Sequence, residues 1–138
     1  ELVVICAPSH EFARLRVVTP DLLKEQPYVS RESGSGTREV IDNYFRQVGV
    51  TPEDLNIVME MGSREAIKGA VEAGLGIAIV SSSTVVKELK LGDLVALPLE
   101  PRLFRRLSLV YAPQKFRSKL LQAFLDFLSD TPLKAVLS

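Results

Sequence analysis

Residues 62–80 read GSREAIKGAVEAGLGIAIV, and this stretch predicts a helix directly before a buried strand. Ser63 is suited to capping a helix N-terminus, and Glu65 adds an acid to the first turn, one residue short of a capping box. Gly74 predicts the end of that helix. Residues 76–80 form a continuous apolar run, which is typical of a short strand covered on both faces.

The same alternation of strand and helix continues on both sides of this stretch. Strand-like segments cover residues 2–7, 27–31, 57–61, 76–80, 94–99 and 107–112. Helical segments are expected around residues 19–25, 40–48, 63–73, 85–89 and 120–128. The serine cluster at 81–83 could cap the fourth of these helices. The alternation predicts an α/β fold with a mixed, mostly parallel sheet flanked by helices.

Composition narrows the possible classes of function. A chain of 138 residues with 46% hydrophobic side chains can bury a core as one domain or one lobe. The 17 acidic and 17 basic residues cancel, so no overall positive charge would draw this chain to nucleic acid.

Cysteine usage and hydropathy indicate the compartment. Cys6 lies in an apolar run and has no second cysteine with which to pair, so a buried thiol is expected. No apolar segment reaches the roughly 18 residues needed to cross a bilayer, and no basic segment with a cleavage site begins the chain. We therefore expect a cytoplasmic protein without membrane contact.

Catalytic and metal-binding motifs do not fit. Residues 31–38, RESGSGTR, lack both the ending of a Walker loop and the third glycine of a dinucleotide fingerprint, and Ser35 lacks the glycine spacing of a serine elbow. His10 is the only histidine, and a lone loop histidine is more often solvated or helix-capping than catalytic. We expect no enzyme activity, no metal and no cofactor.

RESGSGTR itself allows two interpretations. Its glycines, its hydroxyl side chains and the free amides at the start of the following helix could bind a small anion or a carboxylate. Taken alone, however, such a stretch is more often a turn in which Ser35 or Thr37 caps the helix.

The helix-strand stretch has the form GS-x-EAIK-x-AV-x-AGLGIA, which resembles the effector-binding domain of LysR-type transcriptional regulators. The resemblance extends over essentially the whole chain through ELVVICAPSHEFA, DLLKEQPYVSRESGSGTR, DLVALPLE and SLVYAPQKFRSKLLQAFLDFL. It implies a periplasmic-binding-protein-like (type II) fold, in which two α/β lobes hold a small effector between them. Residues 1–112 resemble the second lobe and residues 113–138 a returning helical segment, whereas the N-terminal helix-turn-helix and most of the first lobe have no counterpart.

The resemblance also implies roles for individual residues. The glycine-rich loop would line the effector cleft and bind a carboxylate, sulfate or phosphate. The residues implied for this role are Ser33, Gly34, Ser35, Gly36 and Thr37. The bottom-up argument from amide donors and the helix dipole points to the same loop.

The helix beginning after Ser63 would contact a partner subunit in a homo-oligomer. The residues implied for this contact are Ser63, Ile67, Gly69, Ala70 and Ala73. The alternative is that this helix packs on its own sheet through Ala66, Ile67, Ala70 and Val71, and both arrangements can hold because Gly69 and Ala73 are small.

By the same resemblance, DNA would be bound through the N-terminal domain and not through this chain. The apolar stripe of the final helix would need a partner, either this lobe or a second copy. That stripe consists of Leu120, Leu121, Phe124, Leu125 and Leu128. A transport-type solute-binding protein and an enzyme of similar fold are the alternative functions.

Overall fold

The computed structural model describes residues 1–110 and 118–130 as an alternation of strands and helices. The strands are β1 (Leu2–Cys6), β2 (Pro27–Arg31), β3 (Asn56–Met61), β4 (Ala78–Ser81) and β5 (Val95–Leu103). The helices are α1 (Pro20–Lys24), α2 (Gly36–Gln47), α3 (Arg64–Glu72), α4 (Val86–Leu91) and α5 (Lys119–Asp130). The chain divides into two compact units, residues 1–105 and residues 106–138.

The strands form a three-stranded and a two-stranded sheet, which one isolated bridge joins into a mixed sheet in which most strands share one direction. β1 lies between β4 and β5 and is antiparallel to both, so β4 and β5 run the same way. β2 and β3 pair in parallel, and a parallel bridge between Tyr28 and Ile77 joins them to the β4 side. The predicted mixed, mostly parallel sheet is therefore confirmed, with β1 as the one strand of opposite direction.

This topology brings four strand ends to one edge of the sheet. The carboxyl ends of β2, β3, β4 and β5 meet there, and α2 and α3 begin directly after β2 and β3. Ligands of α/β sheets commonly bind beyond the carboxyl ends of the strands, where helix N-termini converge. We refer to this side as the carboxyl edge.

The apolar run of β1 is buried on both faces because helices cover both sides of the sheet. Val4 and Cys6 belong to a cluster covered by α2, whereas Val3 and Ile5 belong to a second cluster that contains the buried face of α3. Burial raises the pKa of the Cys6 thiol to about 11, as desolvation disfavours the thiolate. The predicted buried cysteine is confirmed.

The boundaries of α3 agree with the sequence. The Ser63 hydroxyl accepts a hydrogen bond from the Ala66 amide at 3.4 Å, so Ser63 is the predicted N-cap. Gly74 follows the last turn with φ +74°, a left-handed conformation that glycine adopts without steric cost.

Two local predictions are wrong. The serines at 81–83 do not cap α4, because Ser82–Thr84 forms a separate 3-10 turn and α4 begins after Val85 without a side-chain cap. Residues 107–110 form no strand, since no partner strand pairs with them among the described residues, and residues 111–112 lie outside those residues.

The final helix forms where its periodicity places it. α5 contains all five predicted stripe residues within Lys119–Asp130. No helix within residues 1–110 and 118–130 is long and apolar enough to cross a membrane.

Candidate functional site

The glycine-rich loop presents unused hydrogen-bond donors at the carboxyl edge. Gly34 makes the turn with φ +83°, and Ser35 takes the N-cap position of α2 with no side-chain capping bond. The first bond of the helix runs from the Glu39 amide to the Ser35 carbonyl at 3.0 Å, so the amides of the preceding helical residues have no acceptor within the helix. The hydroxyl of Ser35 is thus available to a ligand, and the capping interpretation fails for this side chain.

Arg38 fixes the start of α2 to the strand ends. Its Nη1 donates to Ser30 Oγ at 2.9 Å, to the Arg31 carbonyl at 2.9 Å and to Glu60 Oε1 at 2.8 Å. Its Nε donates to the Asp42 carboxylate at 3.1 Å. The hydrogen bond to Glu60 is the main cause that raises the pKa of Arg38. These bonds hold the Arg38 guanidinium within the fold, so its role is structural.

Three other arginines surround a small cavity at the same edge. Arg31 ends β2, Arg64 begins α3, and Arg105 follows β5. The cavity has a volume of about 20 Å³ and is lined by Arg31, Thr37, Arg64, Ile67, Ile79, Val80, Ser81 and Arg105. Arg105 Nη1 donates to Thr37 Oγ1 at 3.1 Å, which connects this arginine to the glycine-rich loop. We call this the arginine cavity.

The charge of Arg31 is already compensated. Its Nε and Nη2 donate to the two carboxylate oxygens of Glu32 at 2.7 and 2.8 Å. These bonds lower the pKa of Glu32 to about 2, so the pair is fully ionised near neutral pH. By contrast, Arg64 and Arg105 form no salt bridge among residues 1–110 and 118–130.

A wider groove adjoins the arginine cavity. Its volume is about 360 Å³, and it is lined by Arg31, Gly62, Ser63, Arg64 and Glu65. Arg31 and Arg64 line both spaces. A ligand in the groove could therefore place an acidic group against the arginine cavity.

The structure divides the predicted effector-binding residues between two sides of the loop. Thr37 lines the arginine cavity. Ser33, Gly34 and Ser35 line a different depression of about 260 Å³, together with Arg38, Glu39, Asp42 and Arg46. Gly36, the first residue of α2, lies between them in sequence. The loop residues do not all converge on one cavity.

The predicted subunit-contact residues are also divided. Ile67 and Ala70 are buried in the core of the protein itself, together with Val71, and are not available to a partner. Ser63, Gly69 and Ala73 are exposed. Ala66 is exposed as well, so the prediction that it packs on the sheet is wrong: it lies on the solvent face of α3.

Other polar residues have structural roles. His10 Nδ1 accepts a hydrogen bond from the Phe12 amide at 3.1 Å and caps the 3-10 turn Glu11–Arg14, which confirms the capping interpretation. His10 Nε2 lies 3.2 Å from Gln26 Oε1. Within the described part of the chain, no three histidine, cysteine, aspartate or glutamate side chains group in a way that could hold a metal ion.

Sequence reasoning missed Arg31, Arg64, Ser81 and Arg105. Each follows or ends an apolar strand segment, which is the one available sequence signal. Only the strand order, which brings the carboxyl ends to one edge, shows that these residues meet.

Comparison with known proteins identifies relatives along most of the chain. The chain is 43% identical over 129 residues to the HTH-type transcriptional regulator YeiE of Escherichia coli K12, covering 92% of the chain and 42% of the relative. It is 37% identical over 127 residues to a probable RuBisCO transcriptional regulator of Trieres chinensis, covering 90% of the chain and 41% of that protein. The chain thus spans about two fifths of the length of these relatives.

A solved structure shows the same fold. The regulatory domain of Synechocystis PCC6803 CcmR, in complex with 2-PG, is similar with a TM-score of 0.74 and 32% identity. The similarity covers 92% of this chain and 60% of that one. Residues 1–132 match the family model described as the LysR substrate binding domain, and the chain belongs to this family.

Proposed function

We propose that this chain is the effector-sensing part of a LysR-type transcriptional regulator and that it binds a small anion at the glycine-rich loop. The observation that carries the proposal is the unused Ser35 hydroxyl beside the free amides at the start of α2. Hydrogen-bond donors and the positive end of a helix dipole favour an anion at this position. The complex of the CcmR regulatory domain with 2-PG supports an effector of this kind.

In this proposal the anion lies over the N-terminus of α2, between the two depressions, and its direct donors are Ser35 on one side, Thr37 on the other and Gly36 between them. Ser33 and Gly34 complete the loop, and the left-handed turn at Gly34 directs the chain into α2. Arg38 contributes indirectly, because its bonds to Ser30 and the Arg31 carbonyl hold the loop against β2.

The rest of the regulator follows as part of the same proposal. Residues 1–112 correspond to a second lobe and residues 113–138 to a segment that returns to a first lobe, with the effector between the lobes. DNA is bound by a different part of the protein, in the cytoplasm, which fits the zero net charge of this chain. An effector of differing affinity for two arrangements of the lobes would shift their populations.

Binding without catalysis is also proposed. The polar groups lining the arginine cavity are hydroxyls and guanidiniums, which hold anions well. The depression beside the loop has hydroxyls and guanidiniums as well, together with the carboxylates of Glu39 and Asp42. The single histidine contacts Phe12 and Gln26 after the far end of β1. The relatives, which are transcriptional regulators, support the same interpretation.

Calorimetry with 2-PG on the intact regulator tests the binding site. Ser35→Ala and Thr37→Val should each weaken binding by about fivefold, as expected for loss of a hydrogen bond worth about 1 kcal/mol. Ser9 is exposed and follows β1, whose carboxyl end lies at the edge of the sheet opposite the carboxyl edge. Ser9→Ala is therefore the matched control and should leave binding unchanged. Affinities within about twofold of the parent for both loop variants would show that the site is elsewhere.

We further propose that the regulator is a homo-oligomer in which the exposed flank of α3 contacts a partner subunit. Ser63, Gly69 and Ala73 are the surface residues on this flank. Two of them are small, which permits the close approach of a second helix.

A further inference from the structure

We infer that the arginine cavity selects effectors that carry two negative charges on one compact group, because two arginines without carboxylate partners line it. This inference rests on the proposed function and specifies the class of effector. It adds Arg64 and Arg105 to the residues that determine specificity.

The charges around the cavity support this conclusion. Arg31 is neutralised by Glu32. Three further carboxylates near this edge form salt bridges: Glu1 with Arg102, Glu60 with Arg38, and Glu65 with Lys68. Glu39, in the first turn of α2, forms none among the described residues. Arg64 and Arg105 lie within salt-bridge distance of no described carboxylate, so a ligand in the cavity meets two guanidiniums that have no direct acidic partner.

The shape of the cavity favours a compact group. A volume of about 20 Å³ holds little more than one oxygen-sized group, so a ligand would insert one oxygen of its acidic group and leave the other oxygens and the remainder of the ligand in the adjoining groove. Ile67, Ile79 and Val80 form an apolar lining, and an apolar surround strengthens charge interactions compared with open water.

The donor types favour an oxyanion with several oxygens. Guanidinium groups match phosphate, sulfate and carboxylate oxygens with paired N–H bonds. The Ser81 side chain lines the same cavity and can supply a hydroxyl. Thr37 Oγ1 accepts from Arg105 and so orients this guanidinium toward the loop, which makes Thr37 both a donor and a positioning residue.

Amide NMR titration of the full chain tests the inference, because it detects weak binding and locates it. Sulfate, a compact dianion, should shift the amides of Thr37, Arg64 and Ser81 and bind about tenfold more tightly than acetate at equal ionic strength. Arg64→Gln and Arg105→Gln should each weaken sulfate binding by about tenfold, since each removes a charge-assisted bond.

Arg14→Gln is the matched control, because it removes the same charge from an exposed residue that follows the opposite end of β1. It should leave sulfate binding unchanged. Arg64→Lys and Arg105→Lys should retain part of the affinity, because lysine keeps the charge without the paired donors. Unchanged amide shifts away from the carboxyl edge will verify that each variant is folded.

The outcomes separate this inference from the proposed function. Sulfate that binds no better than acetate, binds elsewhere or does not bind at all would overturn the inference. So would unchanged sulfate binding by both glutamine variants. If Ser35→Ala and Thr37→Val still weakened 2-PG binding in that case, the loop site would stand without the arginines. If all four variants had no effect, both proposals would fail.

Discussion

At the residue scale, the buried pair of Lys68 and Glu88 is the least expected polar feature of the core. Lys68 Nζ on α3 lies 2.7 Å from Glu88 Oε1 on α4 and also contacts Glu65 at 2.9 Å. Glu88 Oε2 is buried and has no hydrogen-bond partner among the described residues. The pair joins two helices on one face of the sheet. Because only one oxygen of the Glu88 carboxylate is hydrogen-bonded, its burial as an anion depends on the charge of Lys68.

Replacing the lysine should therefore destabilise the protein. Lys68→Met leaves Glu88 buried without its cation and should lower the free energy of unfolding by about 2 kcal/mol. The double variant Lys68→Met/Glu88→Leu should recover much of this loss, because it removes both polar groups. Urea unfolding will measure both values. A single variant as stable as the parent would show that the pair contributes nothing.

The same pair predicts a pH dependence. The hydrogen bond from Lys68 lowers the pKa of Glu88 below its ordinary 4.5, so the pair stabilises the fold above that pH and this contribution is lost as the pH falls through the lowered pKa. The pKa of Lys68 is raised above 10.5, chiefly by Glu88, so its contribution is lost only at high pH. The stability difference between the parent and Lys68→Met should shrink between about pH 7 and about pH 3. An equal difference at both values would contradict this assignment.

The limits of sequence reasoning at this scale are physical. Ser35 and Thr37 could be proposed because a local cue, glycines and hydroxyls before a helix, places donors at its N-terminus. Arg31 ends β2, whereas Arg64 and Arg105 follow β3 and β5. These arginines lie close together only because of the strand order. A charged residue at the end of a strand carries no local mark that distinguishes a ligand contact from a solvated surface.

At the element scale, the connection from α3 to β4 depends on one close backbone contact. A β-carbon at Gly76 would lie 2.5 Å from the Pro27 carbonyl oxygen. That oxygen accepts a hydrogen bond from the Ile77 amide at 2.8 Å, and the Ile77 carbonyl accepts one from Val29 at 2.8 Å. These bonds join the β2–β3 pair to the rest of the sheet, so Gly76 is required where the sheet becomes continuous.

Two glycine-to-alanine variants should have opposite effects. Gly76→Ala should lower the free energy of unfolding by about 2 kcal/mol, because the backbone of Pro27 must move. Gly69 lies within α3 and has open space around it. Gly69→Ala should therefore raise the free energy of unfolding by about 0.5–1 kcal/mol, because alanine has the higher helix propensity. Thermal unfolding will compare them. Equal stability of Gly76→Ala and the parent would show that the contact relaxes without cost.

Element prediction succeeded where one chain segment contains its own signal. The apolar periodicity of α2 and α5, and the cap and glycine stop of α3, identified these helices. It failed at residues 107–110, because an apolar run becomes a strand only when a partner is present to pair with it. The interior position of β1, antiparallel to both neighbours, was likewise not readable from its apolar run.

At the scale of the whole molecule, two surfaces of the chain are candidates for contacts with other parts of the proposed regulator. One is the exposed flank of α3, and the other is the apolar stripe of α5, whose partner stays a prediction. The flank contains Gly69 and Ala73, which are exposed, whereas Ile67 and Ala70 of the same helix are buried. A helix that is buried on one face and has small residues on the other is suited to packing between its own sheet and a neighbouring subunit.

Ala73→Glu on the exposed flank should weaken self-association of the intact regulator. The larger, charged side chain would prevent close helix approach and leave a desolvated carboxylate at the contact, so the dissociation constant of the proposed oligomer should rise about tenfold or more. Gln47→Glu, which adds the same charge to an exposed position of α2, is the control and should leave association unchanged. Sedimentation velocity over a concentration series will measure both. If Ala73→Glu associated as tightly as the parent, the α3 flank would not be the subunit contact, and the stripe of α5 would become the surface to examine.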